Sequence, residues 1–296
     1  MIQIALCGGS GTRLWPISTE ERPKPFIPIL AGTTLFRQTL LRNERLCDEL
    51  LIAANVRHAE LVNRQMGESG DDRPVRALWE TEGRNTAAAV AIACMAVPPD
   101  EIVLITPCDH YIPNEASYER AIGFGIAWAQ SNDIVAFGVT PLKPSTEYGY
   151  LIPDNGGMRF IEKPSMEQAI QLHEEGNCYW NSGIYMCSAG VLLRELRRLC
   201  PDLWEACTEV FRAGYLGLDQ SSYVFDTGRI PAVSIDRAVM EKTDRLRMAP
   251  MKDTGWTDLG SFESLGDVMP KDELKAALSI RPSIGIRSLS TNNEWL

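Results

Sequence analysis

Short apolar runs alternate with segments of helical periodicity in the first half of the chain. Four such runs have the length and composition of buried strands and cover residues 2–6, 51–54, 102–106 and 134–138. Between them, residues 86–95 and 117–130 carry apolar side chains at the three- and four-residue spacing of a helix. Strands that alternate with helices predict an α/β fold, in which a mostly parallel sheet is covered by helices on both faces.

The pattern changes from about residue 140. The segments "YGYLIP", "MRFIEKP" and "YWNSGIYMC" are short, extended and rich in aromatic residues, which predicts a small added β layer beside the main sheet. Helices are predicted at residues 189–199 and 237–242. We assign residues 1–266 to one domain and residues 267–296, which lack clear periodicity, to a short C-terminal tail that is either a dimer contact or frayed.

The composition argues against several classes of protein. A formal net charge of −10 disfavours binding to nucleic acid or to an anionic membrane surface, since either partner needs a basic face. No stretch approaches the ~20 apolar residues of a membrane span, and the apolar N-terminus is too short for a signal peptide. The eight cysteines form no C-x-x-C pair and there are three histidines, so we expect reduced thiols in a cytoplasmic protein and no zinc site.

The glycine-rich stretch "CGGSGTRLWP" directly follows the first predicted strand. It is not a P-loop, because no Gly-Lys pair is present, and it is not a dinucleotide fingerprint, because Leu14 stands where the third glycine belongs. This argues against a nicotinamide oxidoreductase. Gly8, Gly9 and Gly11 still allow backbone N–H groups to approach an anion closely. Arg13 adds a forked cation for phosphate oxygens, although a tight turn with a surface arginine is the alternative.

Three more charged residues stand next to prolines, a strand end or glycines. Lys24 lies between two prolines in "RPKPF", a stiff extended segment that brings a second cation. Asp109 follows the strand predicted at residues 102–106, and ligands of open α/β sheets bind at the carboxyl ends of strands. Asp258 lies between glycines in "GWTDLG". An isolated aspartate is more often a cap or a turn former, so spacing alone does not pair the two aspartates.

Eight segments resemble the motifs of one family and follow each other in that family's order between residue 2 and about residue 265. They are "GGSGTRLWPIS…RPKPF", "EGRNTAAA", "PCDHYI", "FGVTP…YGYL", "FIEKP", "YWNSGIY", "SIDRAVMEK" and "GWTDLGSF". With them the chain resembles the sugar-nucleotide pyrophosphorylases, in their mannose-1-phosphate guanylyltransferase branch. The resemblance implies a Rossmann-like, GT-A-like nucleotidyltransferase domain that acts as a homodimer. It also implies that GTP and α-D-mannose 1-phosphate react, with Mg²⁺, to give GDP-mannose and pyrophosphate.

The resemblance further implies roles for single residues. Those implied in catalysis are Arg13, Lys24 and Lys163. Those implied in nucleotide binding are Gly8, Gly9, Gly11, Thr12, Glu80, Gly83, Arg84 and Asn85. Those implied in binding the sugar phosphate are Gly149, Glu162, Lys163 and Asn181. The implied metal ligands are Asp109 and Asp258, with His110 as a packing or hydrogen-bonding neighbour.

The chemistry of these side chains suits the implied ligands. Guanine presents N1–H and the N2 amino group as adjacent donors, which a carboxylate accepts and which uracil and thymine lack, so we expect Glu80 to select guanine. A solvated glutamate is the alternative. Glu162 and Lys163 reach one ligand only if their strand ends beside them, as Pro164 favours. Asn181 both donates and accepts, as sugar hydroxyls require.

Other functions stay open on the sequence. One is nucleotidyl transfer to another sugar 1-phosphate, such as glucose 1-phosphate, and another is a non-catalytic homologue that senses GDP-mannose. Asp236 and Glu241 begin a predicted helix, and we expect them to be structural. Cys7 places a thiol beside the glycines, which predicts sensitivity to oxidation. The segment after residue 266 does not match the longer relatives, so isomerase activity is not expected.

Overall fold

The computed structural model describes residues 1–9, 14–30, 32–216, 221–269 and 274. The strands in this part of the chain are β1 (Ile2–Leu6), β2 (Pro28–Leu30), β3 (Thr33–Thr34), β4 (Glu49–Asn55), β5 (Val75–Glu80), β6 (Ile102–Pro107), β7 (Ile134–Val139), β8 (Tyr150–Asp154), β9 (Gly157–Ile161), β10 (Tyr179–Ser188), β11 (Tyr215–Leu216), β12 (Ser222–Phe225) and β13 (Leu246–Pro250). The helices are α1 (Leu35–Glu44), α2 (Ala59–Ser69), α3 (Asn85–Met95), α4 (Glu115–Gln130), α5 (Met166–Glu175), α6 (Ala189–Leu199), α7 (Pro201–Ala213) and α8 (Phe262–Val268).

The main sheet is mixed and has 11 strands among the described residues. Its central path runs β11-β12-β5-β4-β1-β6-β10-β7-β13, and β12, β5, β4, β1 and β6 are mutually parallel. Strand β10 runs antiparallel to both β6 and β7. The predicted strands at residues 2–6, 51–54, 102–106 and 134–138 are confirmed as β1, β4, β6 and β7.

Helices cover both faces of the sheet, as the alternation of elements predicts. On one face α3, α6 and α7 pack through Ala88, Leu192 and Leu203. On the other face α1 and α2 lie over β1 and β4, while α4 lies over β6 and β7. The predicted helices at residues 86–95, 117–130 and 189–199 are confirmed as α3, α4 and α6. Residues 237–242, also predicted to be helical, begin instead inside a single π-helical turn, Asp236–Met240.

The prediction of an added β layer is only partly right. Strands β8 and β9 form a hairpin that joins the sheet through two residue pairs, Tyr179 with Leu151 and Trp180 with Tyr150. The segment "YWNSGIYMC", however, forms β10 in the middle of the main sheet. The register of β10 against β7 shifts between Asn181 and Tyr185. The start of this long strand pairs with the hairpin, whereas the strand as a whole belongs to the main sheet.

Parallel strands bring three chain segments to one edge of the sheet, where β1, β5 and β6 end at Leu6, Glu80 and Pro107. Beyond β1 and β6 the pairing continues for one residue, since Cys7 N donates to Ala53 O at 2.9 Å and Cys108 N donates to Leu6 O at 3.0 Å. This edge carries the candidate site.

The eight cysteines are free, and all except Cys200 are buried. In the part of the chain that the structure describes, no helix is long and apolar enough to cross a membrane. Only residues 267–269 and 274 of the tail assigned to residues 267–296 are described, so that assignment stays a prediction.

Candidate active site

The glycine-rich loop is described only at its start. Gly8 and Gly9 follow β1, and Gly9 has a φ of +103°, which favours glycine. A Cβ built on either residue meets no atom within 4 Å, so the space above the backbone is open. Gly11, Thr12 and Arg13 lie outside the described residues, and their assignment to the phosphate site stays a prediction.

Beneath the loop, Cys7 and Cys108 face each other across β1 and β6. Their sulfur atoms are 3.2 Å apart, and both residues are buried. Burial, followed by the neighbouring Cys108 thiol, raises the pKa of Cys7 well above its ordinary value. The thiol is therefore protonated and shielded, and the predicted sensitivity to oxidation remains to be measured.

Lys24 joins the two predicted metal ligands. It lies in a short 3₁₀ turn, Lys24–Phe26, and its side chain is buried. The Lys24 ammonium donates to Asp109 Oδ2 at 3.0 Å and to the backbone carbonyl of Asp258. Asp109, two residues beyond β6, and the distant Asp258 loop therefore meet at one cation. Burial opposes the charge of Asp109, but the Lys24 ammonium and His110 outweigh it and lower the pKa of this carboxyl group.

Aromatic residues hold this charged cluster in place. The Tyr148 hydroxyl donates to Asp258 Oδ1 at 3.0 Å, and Gly260 N donates to the same oxygen at 3.1 Å. His110 Nε2 lies 3.6 Å from Asp109 Oδ1, while Trp256 Nε1 donates to His110 Nδ1 at 3.3 Å. His110 is thus a hydrogen-bonding neighbour, as the sequence predicts. Tyr148 belongs to the "YGY" motif, but the sequence analysis did not assign it a role.

A cleft of about 210 Å³ opens beside the cluster. All four predicted sugar-phosphate residues line it, together with one predicted metal ligand: Gly149, Glu162, Lys163, Asn181 and Asp258. Residues that the sequence analysis did not place in the site also line it, among them Thr86, Tyr185, Asp236 and Trp256.

The two charged residues after β9 both reach the cleft. β9 ends at Ile161, and Lys163 adopts a left-handed φ of +46°, which breaks the strand alternation before Pro164. Burial, with repulsion from Asp236 as the next cause, raises the pKa of Glu162 to about 7.

Gly149 lies where backbone and side chains meet most tightly. A Cβ at this position would lie 2.6 Å from Phe160 Cζ and 3.0 Å from Glu162 Oε2, so only glycine fits. Its carbonyl accepts the Asn181 N–H at 2.8 Å, which ties the hairpin to β10. The Asn181 Oδ1 atom is buried and has no hydrogen-bond partner in the structure.

The predicted nucleotide-binding segment forms the link between β5 and α3. Glu80 is the last residue of β5, and one of its buried carboxylate oxygens, Oε1, has no partner. Burial raises the pKa of Glu80 to about 7. Arg84 pairs with Glu82 at 3.1 Å, whereas a Cβ built on Gly83 meets nothing within 4 Å. The structure brings this segment to the same sheet edge, although only the adjoining Thr86 lines the cleft.

Side chains at the start of α3 make two local hydrogen bonds. Asn85 has a φ of +64° and its Oδ1 accepts the Thr86 N–H at 2.8 Å. The Thr86 hydroxyl, however, accepts the Ile235 N–H at 2.9 Å, so it connects α3 to the π-helical turn that contains Asp236.

Comparison with known proteins identifies the family. The family model described as "Nucleotidyl transferase" matches residues 2–275. The chain belongs to this nucleotidyl transferase family. It is 36 % identical over 286 residues to the xanthan biosynthesis protein XanB of Xanthomonas campestris pv. campestris (strain B100). The matched region covers 92 % of this chain and 60 % of XanB. It is 37 % identical over 296 residues to mannose-1-phosphate guanylyltransferase 2 of Escherichia coli O157:H7, covering 92 % and 61 %.

A solved structure supports the fold. The crystal structure described as mannose-6-phosphate isomerase from Helicobacter pylori matches with a TM-score of 0.78 at 31 % identity, over 86 % of this chain and 98 % of that chain. The chain spans about three fifths of the length of the two curated relatives named above. The expected α/β nucleotidyltransferase fold is therefore confirmed.

Proposed function

We propose that this chain transfers a guanylyl group from GTP to α-D-mannose 1-phosphate and forms GDP-mannose and pyrophosphate. One observation carries the proposal: Glu162, Lys163 and Asn181 line the same cleft as Asp258. The Lys24 ammonium donates both to the Asp258 backbone carbonyl and to Asp109, so it joins these two residues. Candidate sugar, phosphate and metal groups from distant parts of the chain thus adjoin each other. The relative from E. coli O157:H7 is named mannose-1-phosphate guanylyltransferase 2, which agrees with this assignment.

The cluster fits a divalent cation. Lys24 shows that Asp109 and the Asp258 loop already bind one cation together. The described residues contain no cluster of three or more histidine, cysteine, aspartate or glutamate side chains that could hold a metal ion by itself. An ion at Asp109 and Asp258 would therefore need further ligands from the substrate. Two carboxylates, with substrate phosphates as further ligands, are typical of Mg²⁺, which we assign to Asp109 and Asp258. When bound, Mg²⁺ would neutralise negative charge on the phosphate oxygens.

The reaction needs no protein nucleophile. A phosphate oxygen of the sugar 1-phosphate attacks the α-phosphorus of GTP, and the bond between this phosphorus and the leaving pyrophosphate oxygen breaks. A phosphate monoester has its second pKa near about 6, so its oxygens are largely ionised at neutral pH without a general base. The chain therefore contributes position and charge: Lys163 on the attacking phosphate, and Arg13 and Lys24 on pyrophosphate.

Selection of guanine is assigned to Glu80. Its buried Oε1 has no partner in the structure, so a ligand with two adjacent N–H donors satisfies a group that folding leaves unsatisfied. Gly83, Arg84 and Asn85 follow it on the same segment and are assigned to the base or the ribose. Gly8, Gly9, Gly11 and Thr12 are assigned to the nucleotide phosphates.

A substrate panel tests the proposal. The purified protein is incubated with Mg²⁺, each of the four ribonucleoside triphosphates and the 1-phosphates of mannose, glucose and N-acetylglucosamine, while pyrophosphate release is measured. The proposal predicts the highest kcat/KM for GTP with mannose 1-phosphate. Preference for another pair overturns the specificity, and tight binding of GDP-mannose without turnover indicates a sensor. Mannose 6-phosphate is included because the H. pylori relative is described as a mannose-6-phosphate isomerase.

A further inference from the structure

Asp236 occupies an unexpected place in the cleft. From the sequence, Asp236 is expected to be structural, because an aspartate at the start of a helix is commonly a cap. In the structure it begins the π-helical turn Asp236–Met240 and lines the cleft beside Glu162 and Asn181. The N-cap of this turn is Ile235, and the donors to the Asp236 carboxylate, Tyr185 and Asn181, belong to β10 and not to the turn.

Two side chains fix the Asp236 carboxylate from one side. The Tyr185 hydroxyl donates to Oδ1 at 2.5 Å, and Asn181 Nδ2 donates to the same oxygen at 3.2 Å. Both donors come from β10, an interior strand that pairs with β6 and β7. Because both hydrogen bonds end on Oδ1, Oδ2 keeps its lone pairs for a further donor.

The backbone before Asp236 is fixed as well. Ile235 N donates to the Thr86 hydroxyl at 2.9 Å, and Ala87 N donates to Val233 O at 3.2 Å. The start of α3, which follows the predicted nucleotide-binding segment, therefore positions the turn. A carboxylate held from two sides loses little conformational entropy when a ligand binds.

Hydrogen-bond acceptors predominate on the wall of the cleft that is formed by Asp236, Glu162 and Asn181. Besides Asp236 Oδ2, the wall presents the Glu162 carboxyl group and the unpartnered, buried Asn181 Oδ1. The one cationic side chain among the described lining residues, apart from the titratable His110, is Lys163. A fitting ligand therefore brings several O–H donors and one anionic group, which is the chemistry of a sugar phosphate.

We propose that Asp236 binds a ring hydroxyl of the sugar 1-phosphate through Oδ2 and determines which hexose 1-phosphates are accepted, with Tyr185 as its positioning residue. This inference rests on the proposed function, since it names a selectivity residue for that reaction. A site built to hydrogen-bond a hydroxyl rejects analogues that lack it, because the buried acceptor is then left unpaired.

The test combines one isosteric variant with substrate analogues. Asp236→Asn keeps the shape but replaces a charged acceptor by an amide, and a hydrogen bond to a charged group contributes about 1.5–3 kcal/mol, or roughly 10- to 150-fold. We expect kcat/KM for the sugar 1-phosphate to fall by this factor while the KM for GTP stays within about twofold. Deoxy analogues at positions 2, 3, 4 and 6 then locate the contact.

The analogue that lacks the contacted hydroxyl is the decisive one. It is expected to be a poor substrate of the wild type and to lose no further activity in Asp236→Asn, whereas the other analogues lose the full factor. Equal further losses for all four analogues, or a variant within about twofold of the wild type on the parent substrate, overturn the inference.

Two companion variants keep the result interpretable. Asp154→Asn makes the same change of charge on β8, at an exposed residue remote from the cleft lining, and is expected to match the wild type. Tyr185→Phe removes the hydroxyl that donates to Asp236 and accepts from Asn181 Nδ2 at 2.7 Å, and it leaves the Asp236 carboxylate in place. It is expected to give a smaller loss with the same analogue dependence, which tests the inference even if Asp236→Asn fails to fold. A wild type inactive on every sugar 1-phosphate contradicts the proposed function itself.

Discussion

The proposed phosphate end of the site, at Lys24, Asp109 and Asp258, and its proposed sugar end, at Asp236 and Asn181, satisfy their polar groups in different ways. At the phosphate end the described groups already bind one another, since Lys24 donates to Asp109 and to the Asp258 backbone. At the sugar end Asp236 and Asn181 are fixed, but Asn181 Oδ1 has no hydrogen-bond partner and both hydrogen bonds to Asp236 end on Oδ1, which leaves Oδ2 for a ligand. One end is closed by its own ion pair, and the other leaves acceptors for a ligand.

The difference teaches what each end requires of its ligand. In the structure the Lys24 ammonium neutralises the Asp109 carboxylate. A cation that binds to Asp109 must therefore replace Lys24 as the partner of this carboxylate. A sugar adds hydroxyl donors to acceptors that are already in position, so the sugar end needs no exchange. We therefore expect substitutions at the phosphate end to affect kcat and those at the sugar end to affect the KM of one substrate.

The largest effect is expected for Asp109→Asn. The variant loses a proposed metal ligand and leaves the buried Lys24 ammonium without its carboxylate, so kcat should fall by roughly 10³-fold, or about 4 kcal/mol. Initial rates at saturating substrates over a Mg²⁺ titration measure this, with Asp154→Asn as the control for charge. A kcat within tenfold of the wild type would remove Asp109 from the phosphate end.

Arg13→Ala is expected to have the next largest effect. Arg13 lies outside the described residues, so this prediction comes from the sequence alone. Loss of one cation that neutralises developing charge should lower kcat by roughly 10²-fold. The melting temperature should change by less than about 2 °C, because we assign Arg13 to the ligand and not to the stability of the fold. An unchanged kcat sinks the assignment of Arg13 to pyrophosphate.

Glu80, in the predicted nucleotide-binding segment, resembles the proposed sugar end of the site, because its carboxylate oxygen Oε1 has no hydrogen-bond partner. Its pKa is raised from 4.5 to about 7 in the folded chain. The folded state then binds the proton more tightly than the unfolded state, so this contribution to stability is complete below pH ~4.5 and is lost as the pH rises through ~7.

Relative to Glu80→Gln, the wild type should therefore lose about 2 kcal/mol of unfolding free energy between pH 5.5 and pH 8. Urea unfolding of both proteins at the two pH values measures the difference. The KM for GTP should also decrease with rising pH in the wild type more than in the variant, because only the carboxylate accepts both guanine donors. Parallel pH profiles would show that Glu80 does not titrate near neutrality.

Gly149→Ala is expected to give the smallest of these changes. Its new Cβ displaces Phe160 and Glu162, which should raise the KM of the sugar 1-phosphate roughly tenfold and lower stability by about 1–2 kcal/mol. Gly67→Ala is the matched control: it lies in α2, its Cβ meets nothing within 4 Å, and it should raise stability by up to about 1 kcal/mol. Similar KM values for both variants would contradict a tight fit at Gly149.

Much of the fold follows from the sequence, because β1, β4, β6 and β7 are mostly apolar runs buried on both faces. Strand β5 was not predicted. Its "VRALWE" includes Arg76, which remains partly exposed and pairs with Glu49 at 3.1 Å. Helix α5 was also missed, although Ser165 and Gln168 form a capping box at its start.

The site was predictable to the extent that its residues stand in motifs. Glu162, Lys163 and Asn181 were named from the sequence, and the structure brings them to one cleft. Asp236 was not, because its importance depends on Tyr185, a residue 51 positions away that only the pairing of β10 within the sheet brings to it. Contacts of this kind arise from the fold and leave no local pattern.

The central claim is that the two ends hold two substrates so that one attacks the other directly. The most direct test uses GTP that carries a chiral phosphorothioate at the α-position, with mannose 1-phosphate as acceptor, and determines the configuration at phosphorus in the GDP-mannose analogue by ³¹P NMR. A single in-line displacement predicts inversion of configuration. Retention would indicate two successive displacements through a covalent guanylyl-protein and would contradict the account.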